Sequence, residues 1–72
     1  RLIVDYSGNV GIGTGTPTAL LDVNSNGIRI EQPKTPASST AACNQGDMSW
    51  DANYVYVCVA NNSWKRASLS SW

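Results

Sequence analysis

The chain has 72 residues, five basic against five acidic side chains, two cysteines and no histidine. The balanced charge gives no footprint for nucleic acid or an anionic membrane. Without histidine, with Cys43 and Cys58 isolated and with Asp5, Asp22, Glu31, Asp47 and Asp51 scattered, neither a metal site nor a cofactor is expected. A chain of about 60 residues buries only about 60% of its unfolded surface, so oligomerisation or a single disulfide is the expected supplement to its core. No apolar run reaches the roughly 18 residues of a membrane helix. Lacking an initiator methionine, the chain reads as a module of a larger polypeptide.

In chain order, Leu2, Val4 and Tyr6 alternate with Ile3 and Asp5, and Ser7-Gly8-Asn9 marks a turn. Residues 9–17, N-V-G-I-G-T-G-T-P, follow as a strand with Val10 and Ile12 on one face and Gly11 and Gly13 on the other. A glycine face admits close approach by another backbone. In so short a chain that backbone is expected to belong to a second copy, which makes Val10, Gly11, Ile12 and Gly13 oligomer-packing residues. Thr16-Pro17 has the form of a helix start, N-cap then first helical position, with room for one or two turns. Asp22-Val23 leads into Asn26-Gly27, a hairpin signal, and Ile28-Arg29-Ile30-Glu31 alternates beyond it.

Residues 33–45 form a connector, since Pro33 and Pro36 do not suit a central strand and residues 37–42 are small and polar. It reads either as a segment laid on a neighbour or as a plain loop. Residues 46–72 read as a three-strand meander: 46–51, a turn at Ala52-Asn53, 54–60, a turn at Asn61-Asn62-Ser63, then 64–69. In the middle strand Val55, Val57 and Val59 face one way, and Tyr54, Tyr56, Cys58 and Ala60 the other. With Trp50, Trp64 and Trp72, this third holds most of the aromatic rings.

Residues 8–30, G-N-V-G-I-G-T-G-T-P-T-A-L-L-D-V-N-S-N-G-I-R-I, resemble the V-G-I-G-T-x-x-P-x-x-x-L-x-V-x-G repeat of tailed-bacteriophage tail fibres and tailspikes. Residues 46–72, with W-D-A-N-Y-V-Y-V-C-V-A and W-K-R-A-S-L-S-S-W, are similar to a C-terminal module of phage structural proteins. Related modules often place a cysteine directly before the tryptophan of G-D-x-C-W-D, where this chain has Ser49 and its cysteine at Cys43, so the resemblance does not by itself assign a disulfide. The resemblance implies an all-β, intertwined homotrimeric fibre tip with almost no helix: a shaft-like segment over 1–32, the connector over 33–45 and the meander tip over 46–72. It further implies a virion, extracellular location, an upstream fibre shaft as partner and attachment to a host surface glycan or protein.

Several chemical readings compete at individual residues. G-x-G-x-G at Gly11, Gly13 and Gly15 lacks the Lys-Ser/Thr of a phosphate loop. Asp47 and Asp51, at i and i+4 of one strand, lie about 13 Å apart by strand rise, beyond the roughly 5–9.5 Å of a glycosidase pair. Asp51 instead suits a turn cap. Cys43 and Cys58 are open to an intrachain bridge, an interchain bridge or burial as free thiols. For recognition the candidates are Tyr54, Tyr56, Asn61, Asn62, Trp64, Lys65 and Trp72, with Trp50 and Trp64 better suited to a core. Trp72 is expected to dock on the meander or on a neighbour. These readings lead to a non-enzymatic attachment module, with a purely architectural trimerisation tip second and a capsular-polysaccharide depolymerase tip last.

Overall fold

A computed structural model describes residues 1–72. The fold is all-β, six strands in two separate three-stranded sheets, β1-β2-β3 and β4-β5-β6. The helix expected at Thr16-Pro17 does not form, and residues 24–31 carry no strand, so the Asn26-Gly27 hairpin is also absent. Both signals are local: a one-turn helix or a lone ribbon is unstable on its own propensity, and Pro17 is instead buried in the loop beside Gly11.

In the first sheet β1 (Leu2–Val4) runs antiparallel to β2 (Val10–Ile12), and β3 (Leu21–Val23) lies parallel to β2. Asp5 closes the first turn, its Oδ1 accepting from the N–H groups of Ser7 and Asn9, and Gly8 supplies φ 82°. Register places Leu2, Val4, Val10, Ile12, Leu21 and Val23 on one face and Ile3, Gly11 and Asp22 on the other. The glycine face is covered from within the chain. A Cβ on Gly11 would stand 2.5 Å from the Thr14 carbonyl oxygen and 3.5 Å from Pro17, and one on Gly13 would stand 2.9 Å from the Asn24 carbonyl oxygen. The backbone that approaches Gly11 and Gly13 is therefore the chain's own, which corrects the expectation of a second copy there. The branched face is the open one: Leu2 is 66%, Val4 63% and Leu21 60% exposed.

The second sheet is the expected meander: β4 (Met48–Trp50), β5 (Tyr54–Ala60) and β6 (Ser63–Ser68), all antiparallel. Asp51 caps the β4–β5 turn, its Oδ1 accepting from the N–H of Asn53 at 2.8 Å and of Tyr54 at 2.9 Å. Asn62, at φ 61°, takes the left-handed corner of the β5–β6 turn, and the register shifts between Cys58 and Ala60. One face carries Ser49, Tyr54, Tyr56, Cys58, Trp64 and Arg66, and the other Met48, Trp50, Val55, Val57, Lys65 and Ala67. The first of these faces holds the core, Tyr56, Cys58 and Trp64, with Ala41, Cys43 and Tyr54 packed against it.

That core is small for the chain. The accessible surface is 5932 Å², against about 4,300 Å² for a compact monomer of this mass. The radius of gyration is 15.3 Å, where a compact domain of this length has about 11 Å. Trp72 is fully exposed, so it does not dock on its own meander as expected.

Candidate functional site

Residues 34–45 fold back over the core face of the second sheet and are fastened along their length. The Lys34 N–H donates to the Trp50 carbonyl at 2.9 Å, and the Trp64 N–H to the Ser39 carbonyl at 2.9 Å. Near the far end Asn62 Oδ1 accepts from the Cys43 N–H at 3.2 Å, and Asn61 Oδ1 from the Gln45 N–H at 3.2 Å. A disulfide joins Cys43 to Cys58, Cα to Cα 6.3 Å. Of the routes open from the sequence, the intrachain bridge is the one formed, and it ties the connector to the most buried side chain of the core.

Between connector and sheet lies a groove of about 490 Å³, walled by Thr35, Pro36, Ser38 and Ser39, with Tyr56 and Trp64 on the sheet side and Lys65 and Arg66 at the rim. Its volume falls in the range of about 300–1,000 Å³ typical of small-molecule sites. At one end Asp51 Oδ2 accepts from the Thr35 hydroxyl at 2.6 Å and from the Tyr56 hydroxyl. These bonds, the Thr35 one foremost, hold the Asp51 carboxyl well below the usual carboxylate range. The same Asp51 contact pushes the Tyr56 phenol up. The cluster is thus an ionised carboxylate whose charge is spread over two hydroxyls and two backbone N–H groups. Beside it the Arg66 guanidinium lies 4.0 Å from the Tyr54 ring centre, a cation-on-ring contact that fixes the charge at the rim.

The residues singled out from sequence separate into distinct roles. Tyr56 and Trp64 belong to the core and present only an edge to the groove. Asn61 and Asn62 commit their side-chain oxygens to the connector backbone, so they act as clamps. Tyr54 is half-buried beneath Arg66, whereas Lys65 is exposed. Trp50 donates from Nε1 to the Ile30 carbonyl at 2.7 Å. The Asp47 carboxylate caps a turn by accepting from the Asn44 N–H at 3.0 Å. Two polar atoms on the core face, Ser49 Oγ and Trp64 Nε1, are buried without a partner, each a cost of about 1–3 kcal/mol. Sequence reading did not single out Thr35, Ser38, Ser39 or Arg66 as site residues. Nothing in a small polar linker announces that it will become a wall, although Arg66, register partner of Tyr56, followed from the meander's alternation.

No protein-family profile matches the chain, and no solved structure matches it. It is 51% identical over 37 residues to "Depolymerase 1, capsule K30/K69-specific" of Klebsiella phage K5-2, and 38% identical over 56 residues to "Depolymerase, capsule K30/K69-specific" of Klebsiella phage K64-1. Both relatives are phage capsule depolymerases. The matches cover 51% and 78% of this chain but only 5% and 7% of the relatives, so the chain spans a small fraction of their length. The resemblance to phage proteins drawn from the motifs is supported at that coarser level. The expectation of a non-enzymatic protein is overturned, because the relatives carrying this segment are named as enzymes.

Proposed function

We propose that the chain is a self-assembling module of a phage tail protein that degrades host capsular polysaccharide, and that it holds the polysaccharide against that protein. The observation that carries this reading is the 38% identity along 78% of the chain with a capsule-specific depolymerase. Association with the virion tail is supported by the fibre-type motifs at residues 8–30 and 46–72 taken together with that match. Two features of the fold support assembly into a homotrimer. The surface exceeds that of a compact monomer by about 1,600 Å², or about two standard interface halves of roughly 800 Å² each. Each copy in a closed ring uses two such faces. The exposed apolar side chains Leu2, Val4, Ile12 and Leu21 on one sheet and Met48 on the other, beside the half-buried Val55 and Val57, supply the apolar area. Threefold repetition then turns weak contacts with a repeating polysaccharide into firm attachment through effective concentration.

The test mixes the 72-residue chain with purified capsular polysaccharide from a K30 or K69 Klebsiella strain, reading co-sedimentation, reducing-end release and light-scattering mass. Polysaccharide binding by a species of three 7.7 kDa chains is expected. A monomer that neither binds nor cleaves the polysaccharide refutes the reading.

A further inference from the structure

We infer that the groove between residues 35–39 and the second sheet is a saccharide subsite, and that Lys65 and Arg66 at its rim select a sugar residue bearing a carboxylate. This rests on the polysaccharide-holding role proposed above and names the sugar chemistry that the groove reads.

Three observations converge there. The wall is built of hydroxyl-bearing and small residues, Thr35, Ser38 and Ser39, opposite the aromatic edges of Tyr56 and Trp64. That mixture suits a ring with hydroxyls at its equator and C–H groups on its faces. The rim carries two cations side by side on the chain, Lys65 and Arg66. The nearby carboxylate, Asp51, gives one oxygen to the Thr35 and Tyr56 hydroxyls and the other to the N–H groups of Asn53 and Tyr54. Asp51 is fully hydrogen-bonded but keeps its negative charge at that end, and Arg66, on the same sheet face as Tyr56 and Trp64, is the positive group that faces the groove. The Arg66 guanidinium is already placed by its stacking on Tyr54, so little side-chain freedom is lost when it takes a carboxylate by two parallel N–H bonds. By register Lys65 lies on the opposite, Val55–Val57 face of the sheet, and it borders the groove from that edge as a point charge.

The experiment titrates the chain with D-glucuronate and with methyl glucoside, its neutral counterpart, following the backbone and indole N–H resonances of Trp64, Lys65 and Arg66. Shifts at these three residues with glucuronate and not with the glucoside are expected. Arg66→Gln and Lys65→Gln each weaken glucuronate binding by about ten- to a hundredfold, as loss of one charge-assisted hydrogen bond implies. A melt of each variant shows that the sheet is intact, and Lys65→Gln, an exposed position, serves where Arg66→Gln unfolds. Equal shifts with both sugars, or no effect of either variant, overturn the inference. Capsular polysaccharide binding that survives both variants and chemical reduction of the polysaccharide's carboxylates overturns it while leaving the holding role intact. Glucuronate binding at the groove without any polysaccharide binding refutes the holding role and leaves the subsite.

Discussion

Reducing the Cys43–Cys58 disulfide tests how the connector is held. The bridge closes a loop with a sequence separation of 15, and a loop of that size constrains the unfolded chain by about 3 kcal/mol. At about 0.05–0.15 kcal/mol per residue, a chain of this length has a total stability of about 4–11 kcal/mol, so the bridge accounts for a large share. What remains at that end of the connector is exposed hydrogen bonding, from the Cys43 N–H to Asn62 and the Gln45 N–H to Asn61, and from the Asn62 N–H to the Cys43 carbonyl. Each is worth about 0.5–1.5 kcal/mol at most. Reduction leaves both thiol side chains in place and therefore isolates the link from the loss of packed volume. Tryptophan fluorescence melts with and without dithiothreitol are expected to differ by about 12–24 °C, taking about 4–8 °C per kcal/mol for a domain of this size. Cys43→Ala with Cys58→Ala should fall further, because Cys58 is almost wholly buried and its removal opens a cavity. A shift under about 4 °C on reduction would mean that the fold's cohesion lies in the sheet alone and that the connector is a passenger.

Trp64→Ala removes the largest member of the core and is expected to cost about 3–5 kcal/mol, read by urea denaturation; an unchanged midpoint would place the core elsewhere. Gly11→Ala should cost about 1–3 kcal/mol through collision with the Thr14 carbonyl, in monomer and assembly alike, whereas loss of assembly alone would show that the glycine meets another copy after all. Leu21→Asp on the open face is expected to abolish oligomers in light scattering while leaving the second sheet's melt in place, and wild-type mass would remove that face from the interface. Because the Asp51 carboxyl is depressed, its stabilisation is complete above the unfolded value of about 3.9 and is lost as pH falls through the lower folded value. Because the Tyr56 phenol is raised, its stabilisation is complete below about 10 and is lost as pH rises through the higher folded value. The melting temperature of wild type should therefore fall at both ends, and Asp51→Asn should flatten the acid limb; an identical acid limb in that variant would sink the assignment.

The sequence by itself determined the all-β class, the meander and the Asp51 cap, because each depends on neighbours one to four residues away: alternation in residues 54–60, turn chemistry at Asp51 and at Asn61-Asn62. The phage resemblance was also legible, carried by motifs that need no coordinates. Tertiary structure decided which face of each strand is covered. Alternation shows that Val10 and Gly11 point opposite ways but not which side the 13–20 loop will close, and that loop closed the glycine side, leaving the branched side open. It likewise decided the Cys43–Cys58 pairing and the groove, since both depend on residues 34–45 folding back onto a strand distant in sequence. Local signals at Thr16-Pro17 and Asn26-Gly27 were overruled for the complementary reason. A one-turn helix or an isolated ribbon is not stable on its own propensity, and the contacts these segments do make, Pro17 beside Gly11 and the Ile30 carbonyl to Trp50 Nε1, hold them as loops.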